Sequence, residues 1–209
     1  MPKNNRLNGC TDWIDLDFVE RQRTPERATK LGIQLQLAGL SLSNTVSLLE
    51  ELGVERSRKA IHDWVQKAEL QPTEGRNPNH VAVDETVIRI NDQQFWLYAA
   101  VDPDTNDLLH LRLFSTTTTA LTEIFLRELR QKHDVESAVF LVDGAQHFQT
   151  ALARVGLRFQ IERNGNRNTI ERIFREFKRR TSSFSNCFSQ PETAENWLQA
   201  FATWLNAPN

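Results

Sequence analysis

Cysteine is scarce in this chain of 209 residues, with Cys10 and Cys187 as a lone, distant pair. That usage suits a reducing cytoplasm and excludes both a disulfide framework and a cysteine zinc site. Long apolar runs are missing too. The longest, residues 95–101, has seven residues, where a bilayer span needs about 18–20, so no membrane segment is expected. The N-terminal Met1-Pro2-Lys3-Asn4-Asn5-Arg6 has no apolar core behind its charges, so no signal peptide is expected either. An excess of positive charge is also lacking, because 25 Lys and Arg face 27 Asp and Glu for a net charge of −2.

What is present is an ordinary globular composition, 39% hydrophobic and 25% charged, well away from the disordered class. The balanced total hides an uneven distribution. Residues 76–143 carry six basic and eleven acidic side chains, and residues 144–180 carry nine basic and three acidic. A basic stretch directly after an acidic one predicts a phosphate-binding surface beside a carboxylate-rich site.

Two prolines, a glycine and polar residues interrupt the pattern at 71–79, which predicts a linker between a helical region (1–70) and a second domain (80–209). Upstream, Pro25-Glu26 opens one helix that Gly39 closes. Ser41 or Ser43 caps a second that runs to Gly53, and Ser57 begins a third with Ile61, Trp64 and Val65 on one face. The last two form a candidate helix-turn-helix, with Arg58, Lys59 and His62 directed away from the apolar face as candidate DNA contacts. Downstream the rhythm is that of strands at 81–90, 94–101 and 108–114, with turn chemistry at Asn91-Asp92 and at 102–106. A helix at about 117–132, a strand at 138–142, a helix at 145–154, a strand at 157–161 and a long helix from about Asn168 follow. The predicted fold is α/β: a mixed sheet in the order β-β-β-α-β-α-β-α, which is the ribonuclease-H-like arrangement.

Three acidic residues stand out on this frame. Asp84 interrupts Val81-Ala82-Val83, and Asp143 ends Val139-Phe140-Leu141-Val142 just before Gly144. An ionised group in a buried apolar strand costs several kcal/mol unless it is paired or metal-bound, and open α/β sheets place their sites at strand carboxyl ends. Glu171 borders the stripe Ile170, Ile173, Phe174 and Phe177, with Arg175 and Lys178 one and two turns later on its own side. Taken alone, a first-turn glutamate is also what the helix dipole favours. Together, Asp84, Asp143 and Glu171 are candidate catalytic carboxylates, able to ligate two divalent cations about 3.5–4 Å apart for phosphoryl transfer. Oxygen donors favour Mg²⁺, with Mn²⁺ as a substitute. Lys178, Arg175 and Arg179 are candidate DNA contacts.

At these residues the sequence resembles the DDE transposases of bacterial and archaeal insertion sequences, in particular the IS-six group and its haloarchaeal branch. The resemblance is carried by Val83-Asp84-Glu85-Thr86, Tyr98-Ala99-Ala100-Val101-Asp102, Val142-Asp143-Gly144, the block from Asn168 through Glu171 to Lys178-Arg179-Arg180, and Ala60-Ile61-His62-Asp63-Trp64-Val65. It spans about residues 12–205. It implies a ribonuclease-H-like catalytic domain, a helix-turn-helix that reads terminal inverted repeats, and Mg²⁺-dependent cleavage and strand transfer of double-stranded DNA. A homo-oligomer, dimer or larger, acting in the cytoplasm at the nucleoid is implied as well. The 27 residues between Asp143 and Glu171 are fewer than in better-known bacterial members, but leave room for one helix and one strand. A ribonuclease-H-like nuclease without strand transfer, and a catalytically inactive DNA-binding regulator, remain alternatives.

Overall fold

The computed structural model describes residues 13–16, 24–90, 93–162, 168–182 and 190–207; Cys10, Cys187 and the expected turn at Asn91-Asp92 lie outside them. In chain order the elements are α1 (Glu26–Leu37), α2 (Leu42–Glu51), α3 (Arg58–Lys67), β1 (His80–Ile90), β2 (Gln93–Val101), β3 (Leu108–Phe114), α4 (Thr119–Lys132), β4 (Val139–Val142), α5 (Gln146–Val155), β5 (Arg158–Ile161), α6 (Asn168–Ser182) and α7 (Pro191–Asn206). They fall into two compact units, residues 1–71 with 192–209, and residues 72–191. The C-terminal helix, assigned from sequence to the second domain, is thereby grouped with the N-terminal helices. Among the described residues no helix is long and apolar enough to cross a membrane.

In the first unit, helix starts follow local chemistry. Ser41 Oγ accepts the Asn44 N–H at 3.1 Å and Ser57 Oγ accepts the Ala60 N–H at 3.2 Å, caps worth about 1 kcal/mol each. The buried Gln36 amide donates to Leu40 O and Thr45 Oγ1, joining the end of α1 to α2. Ala28, Leu49 and Ile61 form a small core with Leu31, Leu42, Val46, Val54 and Trp64 packed against it. Gly32 is there for room, since a Cβ at this position would come within 2.9 Å of the Trp64 ring. Gln66 Nε2 donates to Thr193 O at 3.2 Å, and on α7 the rings of Trp197, Phe201 and Trp204 stack in sequence.

The second unit is a five-stranded sheet in the order β3-β2-β1-β4-β5. β1 pairs antiparallel with β2 and β2 with β3, whereas β1–β4 and β4–β5 are parallel. Alternation along the strands divides the side chains between two faces. Val81, Val83, Tyr98, Ala100, Phe140 and Val142 share one core with Phe125, Leu126 and Leu129 of α4 and Phe148, Ala151 and Leu152 of α5. On the other face Ala82, Leu97, Ala99, Val101, Leu111 and Leu141 are equally buried. There α6 packs against β1 and β2, its predicted stripe of Ile170, Ile173, Phe174 and Phe177 buried. The helix expected at about 117–132 begins at Thr119 and is capped by Thr118, whose Oγ1 accepts the Leu121 N–H. The stretch leading into β1 is tied down rather than loose: Gly75 N–H donates to Lys132 O, Asp134 N–H to Arg76 O, and Val139 N–H to Asn79 O.

Two buried histidines contribute to this unit in their neutral form. His133 Nε2 donates to Leu109 O at 2.9 Å while its Nδ1 accepts the Arg76 N–H at 3.2 Å, an arrangement that requires one protonated and one bare nitrogen. His110 stacks on Phe125 and meets Glu128 at 3.0 Å. Desolvation by burial holds both below the ordinary histidine pKa, and the favourable partners do not overcome it.

The unfolded chain protonates these residues below about pH 6.5 while the folded one resists, so the stability they confer is present above that pH and lost as it falls. The melting temperature is therefore expected to drop between about pH 7.5 and 5; a flat profile would contradict it. Separately, Gly32→Ala is expected to destabilise the first unit by about 1–3 kcal/mol through overpacking against Trp64, read as a lower denaturant midpoint with little change in the second unit.

Candidate active site

The site begins with strand register. Val81 pairs with Phe140 and Ala82 with Leu141 on parallel β1 and β4. Two residues further along the chain come Asp84, on the same face of β1 as Ala82, and Asp143, one residue past the end of β4. Neighbouring strands lie about 4.8 Å apart, so the register brings the backbone at Asp84 and at Asp143 to neighbouring positions where β4 ends. On the other flank Asp84 is opposite Ala99, whose small side chain crowds nothing. Gly144 turns the chain immediately after Asp143 with φ of +102°, a conformation that favours glycine.

Burial differs from expectation at one of these positions. Asp84 is half-buried but Asp143 is exposed, because β4 ends at Val142 and the next residue already stands beyond the apolar layer. The desolvation argument therefore applies in part to Asp84 and not to Asp143. Asp143 Oδ1 accepts the Ala145 N–H at 2.8 Å, fixing its rotamer at the head of α5, and Asp84 Oδ1 accepts the Glu85 N–H at 2.9 Å. Two hard oxygen donors so placed fit a divalent cation such as Mg²⁺ or Mn²⁺.

Glu171 lies in the first turn of α6, exposed beside the buried Ile170. Helix α6 packs on β1, the strand of Asp84. Among the described residues, however, no three acidic, histidine or cysteine side chains come together closely enough to hold a metal ion. The expected pair of basic residues, Arg175 and Lys178, is exposed on the side of the helix that carries Glu171. Arg179, the third expected DNA contact on this helix, is exposed and donates two hydrogen bonds to Glu176, at 3.0 and 2.6 Å, and Arg180 reaches the same carboxylate at 2.9 Å. The Arg179 bond is the main reason that the Glu176 pKa lies below its ordinary value. Arg172 hydrogen-bonds Asn106 in the turn between β2 and β3.

The candidate contacts on α3 are part of the first unit. Arg58 and Lys59 are exposed and His62 is half-exposed. Lys59 Nζ sits 2.6 Å from Asp63 Oδ2, and His62 Nδ1 is 3.4 Å from the other oxygen. The Lys59 hydrogen bond lowers the Asp63 pKa.

Two residues of the neighbourhood were not foreseen as partners. Glu85 follows Asp84 but points to the opposite face, across from Tyr98, and its Oε1 lies 3.5 Å from Nε2 of His147 in the first turn of α5. One signal was available in the sequence, since Glu85 occupies the inward position of the Val81, Val83 alternation. Nothing in the sequence marked His147 as its counterpart.

Comparison with known proteins places this geometry in context. A protein family described as a DDE domain, of IS240 type, matches residues 79–207. The uncharacterized protein MJ0017 of Methanocaldococcus jannaschii is 29% identical over 199 residues, covering 92% of each chain. Among solved structures, the catalytic core domain of BIV integrase is similar at 13% identity with a TM-score of 0.48, covering 64% of this chain and 87% of that one. The HTLV-2 integrase catalytic core domain in complex with magnesium is similar at 17% identity and a TM-score of 0.44, covering 62% and 86%.

If Asp84 and Asp143 hold a cation, Mn²⁺ stabilises the folded protein by about 2.7 kcal/mol at a hundredfold excess over its dissociation constant. A thermal shift with Mn²⁺ is expected in the wild type and not in Asp84→Asn or Asp143→Asn; an equal shift in all three would remove these carboxylates from the metal site.

Proposed function

Because the chain belongs to the family of DDE transposases represented by the IS240-type DDE domain, we propose that it binds the terminal inverted repeats of an insertion sequence and catalyses metal-dependent cleavage and strand transfer of DNA. Within that family we assign it to the IS-six group and its haloarchaeal branch, on the blocks around Asp84, Asp143 and Glu171. The observation that carries the chemical reading is the β1–β4 register, which sets the Asp84 position, within β1, beside the end of β4 that leads into Asp143. The element order from β1 to α6 and the strand order β3-β2-β1-β4-β5 support reading the second unit as ribonuclease-H-like.

In this reading Asp84, Asp143 and Glu171 are the metal ligands. Divalent cations, when bound there, sharpen the attacking oxygen and stabilise the leaving one. In cleavage a water oxygen bonds to the phosphorus and the P–O3′ bond breaks, with the proton of the water passing to solvent. In joining, the freed 3′-hydroxyl attacks a target phosphate and a target 3′-oxygen departs in its place. Arg175 and Lys178, on the Glu171 side of α6, hold the strand through its phosphates. Arg179, exposed and paired with Glu176, exchanges that carboxylate for a phosphate on binding.

Docking is assigned to α2 and α3 as a helix-turn-helix, with Arg58, Lys59 and His62 facing the DNA. Lys59 exchanges Asp63 for a phosphate on binding, so its gain is the difference between two ion pairs. The protein acts as a homo-oligomer on paired ends.

The test is cleavage and joining of a labelled duplex carrying the element's own terminal repeat, with Mg²⁺, Mn²⁺ or EDTA, in wild type and Glu171→Gln. Metal-dependent cleaved and joined products that disappear in Glu171→Gln are expected. Cleavage without joining would favour a nuclease, and specific binding without products would favour a DNA-binding regulator.

A further inference from the structure

The face of the sheet opposite Asp84 carries a carboxylate that packing alone does not call for. Val81, Val83, Tyr98, Ala100, Phe140, Val142 and Phe148 make that face a continuous apolar core, and Glu85 follows Val81 and Val83 in the same alternation. Its side chain is 14% exposed and that of His147 is 20% exposed, with Oε1 and Nε2 3.5 Å apart. Glu85 Oε2 and His147 Nε2 have no solvent-accessible surface. Aromatic rings hold the imidazole in place: Phe148 at 4.7 Å and Tyr98 at 6.3 Å between centroids. The Tyr98 hydroxyl is in turn fixed by Thr117 Oγ1 at 2.8 Å. An ionisable pair kept in such surroundings costs stability relative to apolar residues of the same shape.

What the pair joins is informative. Glu85 is the chain neighbour of Asp84, and His147 sits in the first turn of the helix whose start is pinned by the Asp143 side chain through the Ala145 N–H. The contact thus ties together the two backbone segments that carry Asp84 and Asp143.

We propose that Glu85 and His147 are positioning residues, a brace behind the sheet that sets the separation and orientation of Asp84 and Asp143 for a divalent cation. The proposal rests on the metal-ligand reading of those two carboxylates. Glu85 and His147 touch neither cation nor DNA. Contacts of this kind are commonly long before a site is loaded and tighten when it is, and groups that orient metal ligands from behind are worth about 10–100-fold in metal affinity.

The test uses the full chain without DNA and Mn²⁺ alone as probe, with affinity read by calorimetry and stability by thermal unfolding. Glu85→Leu and His147→Phe, which keep the volume and remove the pair, are expected to weaken Mn²⁺ binding about tenfold or more with melting temperature unchanged or raised. The double variant should be no weaker than either single one, and Glu85→Gln, which keeps the shape and a polar group facing the imidazole, should bind Mn²⁺ more tightly than Glu85→Leu. Unchanged Mn²⁺ affinity in Glu85→Leu and His147→Phe, alongside a loss in Asp84→Asn, would overturn the brace and leave the metal site standing. No Mn²⁺ binding by the wild type would overturn both.

Discussion

The second unit depends on the parallel pairing of β1 with β4. Antiparallel neighbours can be joined by tight turns, but a parallel pair needs a crossover, and here β2, β3 and α4 are all interposed before β4 returns beside β1. The pairing buries Val81 and Phe140 on one face and Ala82 and Leu141 on the other, so both strands are apolar where they pair. It also determines which face receives the acidic residues. A slip of one residue in β1 would carry Asp84 into the α4/α5 core and Glu85 out of it, burying one charge and separating it from Asp143. Packing on both faces and the placement of the carboxylates are therefore consequences of one register.

Local chemistry and global packing agree over most of the chain and disagree in the middle of β1. Ser41, Ser57 and Thr118 cap the helices they precede, and the apolar stripe of α6 is buried as its spacing requires. In the middle of β1 the agreement stops, because Asp84 and Glu85 place charges on both faces of a strand that is otherwise fit for burial. Such conflicts are expected where a sequence serves a site as well as a fold.

Charge is organised more finely than the net value of −2 conveys. On α6, Glu176 gathers Arg179 and Arg180, while Arg175 and Lys178 line the Glu171 side. On α3, Asp63 gathers Lys59 and approaches His62. Acidic residues thus hold basic ones in defined rotamers within a single helical turn. For exposed pairs this is worth only a few tenths of a kcal/mol, so a phosphate competes for the same cations at little cost.

The sequence by itself determined the elements and most of their ends. Strand alternation in 81–90, the serine and threonine caps, and the three-and-four spacing of Ile170, Ile173, Phe174 and Phe177 are local signals, and local physics reads them. It also marked Asp84, Asp143 and Glu171, because a charge in or beside an apolar pattern is visible without a fold. Tertiary structure alone decided how deep each one sits: half-buried for Asp84, exposed for Asp143, since burial depends on where the neighbouring strand stops. It alone joined Glu85 to His147, 62 positions apart in the chain. Side-chain pairing depends on distances that only packing sets, and no periodicity along one segment encodes the distance to another.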